Sequence, residues 1–226
     1  MKTLILLVAL VAALTAVAPA QNVPATNLFF CPPQTCLYYA GDQGGDAVFD
    51  FDNPGIGISD AEVWVGVKPT KNATVTGASG NYLTTTTTIG VNPTPFQVRV
   101  GITSGQGGKL VCNTSGNATV KAYGNPQNGL NAENYYIKKL AKACRFKAKT
   151  IYFVSEVPQY NDGSTIGYLS DVDNPPTNHK GWPNIYNDSY FNSSSFGTVY
   201  EPIWSGGTNC SGGNCDVFSI SLTGKP

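Results

Sequence analysis

Six cysteines, one histidine and a handful of carboxylates are the side chains of this 226-residue chain whose type and spacing could do chemistry. The cysteines are Cys31, Cys36, Cys112, Cys144, Cys210 and Cys215. Cys31 and Cys36 share their C-x₄-C spacing with Cys210 and Cys215, so each pair is expected to close a tight loop, which leaves Cys112 for Cys144. Other pairings remain formally open among the roughly 15 that six cysteines allow. The spacings are loose for zinc, and the lone His179 stands far from them. Any Ser-His-Asp or Cys-His catalysis would have to use His179. It sits in the loop-like stretch Pro175 to Gly181 with no G-x-S-x-G elbow, so a solvated loop histidine is the simpler reading. A three-histidine metal centre is excluded by count.

Carboxylates are the next candidates. Glycoside hydrolysis needs two of them about 5–10 Å apart, and Asp60, Glu62, Glu133, Glu156 and Glu201 are available. Glu62 and Glu156 fall on expected strands, where acids ordinarily face solvent. Two echoing phrases, Asp50-Phe51-Asp52-Asn53-Pro54 and Asp171-Val172-Asp173-Asn174-Pro175, set carboxylates at alternate positions. A hard cation such as calcium collects oxygen ligands from bent loops of this kind. Asp50, Asp52, Asp171 and Asp173 supply only part of such a site, and Asp-Asn-Pro is equally a plain turn. No cofactor is expected, with calcium the one cation for which a partial ligand set exists.

Aromatic residues crowd the later chain: Trp182, Tyr186, Tyr190, Phe191, Tyr200 and Trp204. Sugar rings stack on exposed Trp and Tyr. Trp182, Tyr186, Tyr190 and Trp204 are therefore the candidate ligand-binding residues. The competing reading is that these rings pin long loops onto the core.

The elements that must position these residues begin after an export signal. Lys2 precedes an apolar run from Leu4 to Val17, interrupted only by Thr15, and Ala18-Pro19-Ala20 ends it with small residues. That is the pattern of a cleavable secretory signal over residues 1–20. The run is shorter than the roughly 20 residues of a membrane span, and no later segment is apolar enough to span. The chain's last residues, Ser221 to Pro226, are not the hydrophobic tail of a lipid anchor. Residues 21–226 are expected to form one domain. Basic and acidic side chains number 14 each and only 12% of residues are charged, which gives no indication of nucleic acid as a partner. An even cysteine count in an exported chain predicts disulfides. Six N-x-[ST] acceptors, Asn72, Asn113, Asn117, Asn187, Asn192 and Asn209, suggest a glycoprotein.

With 25 Gly and 15 Pro, turn formers are everywhere. Between them, apolar and polar residues alternate from Ala61 to Val67, Phe96 to Ile102, Ala118 to Tyr123 and Asp216 to Leu222, and Thr150 to Val157 reads as a more buried strand. Short strands separated by regular turn signals predict an antiparallel sandwich or barrel. Tyr136, Ile137, Leu140, Ala141 and Cys144 recur at helical spacing and predict a short helix over Tyr135 to Lys147, with two short strands as the alternative. The Thr84 to Thr88 run reads as an edge strand. The fold expected is a single antiparallel β sandwich of jelly-roll type, disulfide-braced, with one short helix.

Several phrases carry a family resemblance. They are Leu37-Tyr38-Tyr39-Ala40-Gly41-Asp42, Phe96 to Gly101 followed by Ser104 to Leu110, Thr150 to Gln159, and Ser189 to Gly197. In order and content they resemble secreted β-sandwich domains of bacterial surface proteins, many of which carry a PEP-CTERM sorting tail. The resemblance implies a sandwich fold and an extracellular role, and it brings no catalytic residues. This chain departs from it in lacking the tail and in having six cysteines.

Together these readings predict a secreted extracellular or cell-surface protein, non-catalytic and glycan-binding. The alternatives are a secreted polysaccharide hydrolase with a carboxylate pair, and a structural matrix or coat protein.

Overall fold

The computed structural model describes residues 31–41, 56–57, 61–85, 93–122, 130–160, 167–170, 172, 178–195, 197–202 and 218–226, with backbone alone at 56–57 and 186–188. The export signal, Asp50, Asp52, Asp60, Asp171, Asp173, Trp204, Asn209, Cys210 and Cys215 lie outside the described residues.

Alternation becomes strand over Ala61 to Val67, Phe96 to Val100 and Ala118 to Ala122, whereas of Asp216 to Leu222 only Ile220 to Leu222 is strand among the described residues. In Ala61 to Val67, Val63, Val65 and Val67 turn into the core while Glu62 and Trp64 take the opposite face. Each buried valine contributes about 1.5–3 kcal/mol relative to exposure. In chain order the strands are β1 (Cys36–Tyr39), β2 (Ile56–Gly57), β3 (Ala61–Val67), β4 (Ala73–Thr84) and β5 (Thr94–Val100). They continue as β6 (Lys109–Gly116), β7 (Ala118–Ala122), β8 (Asn131–Ile137), β9 (Cys144–Phe146) and β10 (Tyr152–Glu156). The last are β11 (Gly167–Leu169), β12 (Lys180–Gly181), β13 (Asn184–Ser193), β14 (Thr198–Pro202) and β15 (Ile220–Lys225).

These form two antiparallel sheets. The six-stranded sheet has the order β14-β13-β3-β10-β5-β6. The nine-stranded sheet is built around β4, whose twelve residues outrun any single neighbour. One edge of β4 pairs with β15 and then β11, and the other with β9 and then β8, which carries β7. Val65, Phe96 and Val154 of the smaller sheet meet Val75, Tyr82 and Leu222 of the larger in one buried cluster, so the chain is a β sandwich.

Two expectations are corrected. The described residues contain no helix, and Tyr135 to Lys147 holds the end of β8, a short break, and β9. Tyr135 and Ile137 point inward at strand spacing, the chain then breaks, and the Leu140 and Ala141 amides donate to Thr76 and Ser115 carbonyls. That break puts Leu140 and Cys144 at intervals that imitate a helix. Both edges of β4 demand partners, and this long-range pairing overrides a weak local propensity. The second correction concerns Thr84. It ends β4, is fully buried and lies between Gly167 and Asn131, so it belongs to the interior of the sheet and not to an edge. Thr86 to Thr88 lie outside the described residues.

Two disulfides brace the sandwich with the expected pairing. Cys31–Cys36 closes the turn in which the Thr35 and Cys36 amides both donate to the Pro32 carbonyl. Cys112–Cys144 joins β6 to β9 and so ties one sheet to the other.

Candidate functional site

The sequence candidates are dispersed. Trp182, which follows β12, is 5% exposed and belongs to the core. Its ring stacks on Tyr38 at 6.5 Å and tilts against Phe146 at 5.8 Å, and its amide donates to the Leu37 carbonyl. Tyr190, on β13, packs edge-on against Phe153 in a separate cluster outside the core. The side chain of Tyr186 and all of Trp204 lie outside the described residues, as do the four aspartates considered for calcium. Trp182 and Tyr190 therefore do not share a surface. His179 is half-buried, edge-on to Tyr38 at 6.3 Å, and burial lowers its pKa.

The carboxylates also separate. Glu156 ends β10 and turns inward with Tyr152 and Val154, against the expectation that it faces water. It borders a cavity of about 10 Å³, lined by Val63, Val65, Phe96, Val154, Leu169 and Leu222 among others. That is about the threshold for holding one water. Oε1 has no hydrogen-bond partner among the described residues. Burial alone pushes its pKa to about 8, because an apolar enclosure penalises the charged form. The Tyr82 hydroxyl donates to the Glu156 carbonyl at 3.2 Å. Burial, then the Glu156, Tyr160 and Tyr135 side chains, push the Tyr82 phenol well above its ordinary value. Glu133 is buried on β8, where its Oε2 accepts from Thr84 Oγ1 at 3.1 Å and Tyr135 Oη at 3.0 Å. Glu201 is exposed on the edge strand β14.

Among the described carboxylates Glu62 alone joins a constellation open to solvent, and there it meets Trp64, Gln97 and Arg99, which were not among the sequence candidates. On the outer face of the six-stranded sheet, register sets Asn192 beside Glu62, Tyr190 beside Trp64, Gln97 beside Ser155 and Arg99 beside Phe153. Trp64 is fully buried there. Its Nε1 donates to Glu62 Oε2 at 3.3 Å, and Asn192 Nδ2 donates to the same oxygen at 3.2 Å. The Arg99 guanidinium lies 5.1 Å from the Trp64 ring centre and 5.6 Å from that of Tyr200. One Arg99 terminal nitrogen donates to the Gly107 carbonyl at 3.2 Å, while Nε has no partner among the described residues. Neither does Ser155 Oγ, which is buried on the same face.

Tyr200 closes one side of this patch. It sits on β14 with φ +48°, a conformation that costs a residue bearing Cβ of order 1–3 kcal/mol and that concentrates at functional sites. Its ring lies so close to Gly107 that a Cβ there would overlap it. The turn after β5 is held against β14 where the Gly105 amide donates to the Val199 carbonyl. Burial raises the Tyr200 phenol; Arg99 opposes that shift and Glu62 adds to it.

A signal for part of this patch was present. Phe96-Gln97-Val98-Arg99-Val100 alternates cleanly, so Gln97 and Arg99 had to share the polar face. Which strands flank them is a long-range property that no single segment carries. The outcome is a half-buried surface of tyrosine rings, one guanidinium, one carboxylate and two amides, suited to stacking on a ligand while exchanging hydrogen bonds with its hydroxyls.

Among the described residues no helix is long and apolar enough to cross a membrane, and no group of three or more His, Cys, Asp and Glu side chains is arranged to hold a metal. Exposed Asn113 and Asn117 suit glycan attachment, whereas Asn192 is engaged with Glu62, and Asn72 is exposed with its Oδ1 accepting from the Ala148 amide. The side chain of Asn187 lies outside the described residues. Comparison of the chain with protein-family models, with curated proteins and with solved structures gave no match.

Proposed function

We propose that this is an exported, extracellular or cell-surface protein that binds glycan on the outer face of its six-stranded sheet and carries out no catalysis. The observation that carries this reading is the preorganised patch of Tyr190, Tyr200, Arg99, Glu62, Asn192 and Gln97. Tyrosine rings offer sugars an apolar face, and flanking groups held by cross-strand bonds lose little freedom on binding. The two disulfides support an oxidising compartment.

The hydrolase alternative has less support. Two carboxylates must flank a scissile bond in a site that admits substrate. Glu133 and Glu156 are buried within the sandwich, and Glu62 already accepts two hydrogen bonds.

Retention on insoluble cellulose, chitin, xylan and starch, and on immobilised alginate and heparin, tests the reading. Wild-type protein should be retained by at least one polymer. Tyr200→Ala and Asn192→Ala should weaken that retention roughly tenfold or more, since a stacked ring or a well-made hydrogen bond to the sugar contributes about 1–2 kcal/mol. Melting temperatures should stay near wild type. Failure to bind any polymer, or binding that both variants leave intact, refutes the proposal and leaves the matrix or coat reading.

A further inference from the structure

Among the described residues the patch carries one positive group, Arg99, and one negative group, Glu62, so their formal charges cancel. The Arg99 guanidinium lies to one side of the Trp64 and Tyr200 rings, 5.1 and 5.6 Å from their centres, and already donates to the Gly107 carbonyl. It thus has less freedom to close a two-pronged bond on an incoming anion. Glu62 stands on the same face, held by Trp64 and Asn192. At the Tyr200 hydroxyl, the fields of Arg99 and Glu62 act in opposite directions. The edges of the sheet repeat the balance, with exposed Lys109 on β6 and exposed Glu201 on β14. An anionic sugar would meet Glu62 as a like charge, whereas a neutral sugar can give hydroxyl hydrogens to Glu62 and accept from Asn192, Gln97 and Arg99.

We propose that the ligand class is an uncharged polysaccharide, selected against uronate- and sulfate-bearing chains by the presence of both Arg99 and Glu62 on one sheet face. This rests on the glycan-binding reading and narrows it.

The test is retention of the full secreted chain on neutral polymers (cellulose, chitin, xylan, starch) and anionic ones (alginate, heparin) at low and high sodium chloride. Retention on a neutral polymer should change less than about twofold across that range, because no net charge attraction is there to be screened. The anionic polymers should not retain wild type at high salt. Glu62→Gln leaves Arg99 uncompensated and should gain salt-sensitive retention on alginate or heparin while melting close to wild type. Preferential, salt-sensitive binding of wild type to alginate or heparin overturns the ligand class and leaves glycan binding standing. Absence of binding to all six polymers overturns both. If Glu62→Gln gains no anionic binding, the charge-balance explanation of selectivity is wrong.

Discussion

Glu156 shows how a single residue reverses its expected role. In Ile151-Tyr152-Phe153-Val154-Ser155-Glu156-Val157 both parities are apolar enough to face a core, so the strand is legible and its phase is not. The structure turns Tyr152, Val154 and Glu156 inward and leaves Phe153 and Ser155 on the outer face. A buried acid with pKa near 8, against 4.5 in the unfolded chain, holds its proton when folded and loses it when unfolded. Its contribution to stability is fully present below about pH 4.5 and declines as pH rises toward 8, at about 1.4 kcal/mol per pH unit. Thermal or urea melts across pH 4–9 should show that decline in wild type and a flatter profile in Glu156→Gln. Parallel profiles would mean that the carboxyl ionises freely in the folded state.

Trp182 gives the converse lesson at the same scale. Its polar, proline-rich neighbours suggest a surface loop, yet β12 pairs with β1 and carries the ring onto Tyr38 and Phe146. Truncation of such a ring to alanine costs about 3–5 kcal/mol. Trp182→Ala should therefore lower the melting temperature sharply, by more than about 5 °C. A variant that melts like wild type would remove this ring from the core.

At the level of elements, the strands with strict alternation were legible and the segment around Cys144 was not. Helical spacing from Tyr136 to Cys144 arises from a strand, a break and a second strand. Its cause lies in β4, far away in sequence, whose length requires both β8 and β9. Register is likewise absent from any one segment, which is why Glu62, Arg99 and Tyr200 could not be joined beforehand. The disulfide pairing, by contrast, followed from spacing alone for the two bridges described. Cys112–Cys144 has a sequence separation of 32 and links the sheets, whereas Cys31–Cys36 has a separation of 5. On the chain-entropy model the longer loop contributes roughly 3–4 kcal/mol and the shorter about 2 kcal/mol. Replacing Cys112 and Cys144 together by alanine should lower the urea midpoint more than replacing Cys31 and Cys36. The reverse order would place the main brace at the amino-terminal turn.

At the scale of the whole molecule, a near-neutral sandwich presents one worked face and keeps Glu133 and Glu156 inside. The core supports Trp64 from beneath through Val63 and Val65, and the turn after β5 leans on β14 beside it. On the proposed reading, stability and recognition fall on opposite sides of the same strands. Val63 and Val65 of β3 serve the core, while Glu62 and Trp64 serve the face. Nuclear magnetic resonance mapping with a soluble neutral oligosaccharide of the retained polymer tests this most directly. Shifts should concentrate on the Arg99 and Trp64 side-chain N–H signals, the Asn192 and Gln97 amides and the Tyr190 and Tyr200 rings, and saturate with added sugar. Saturable shifts confined to other residues, with this face silent, would contradict the account.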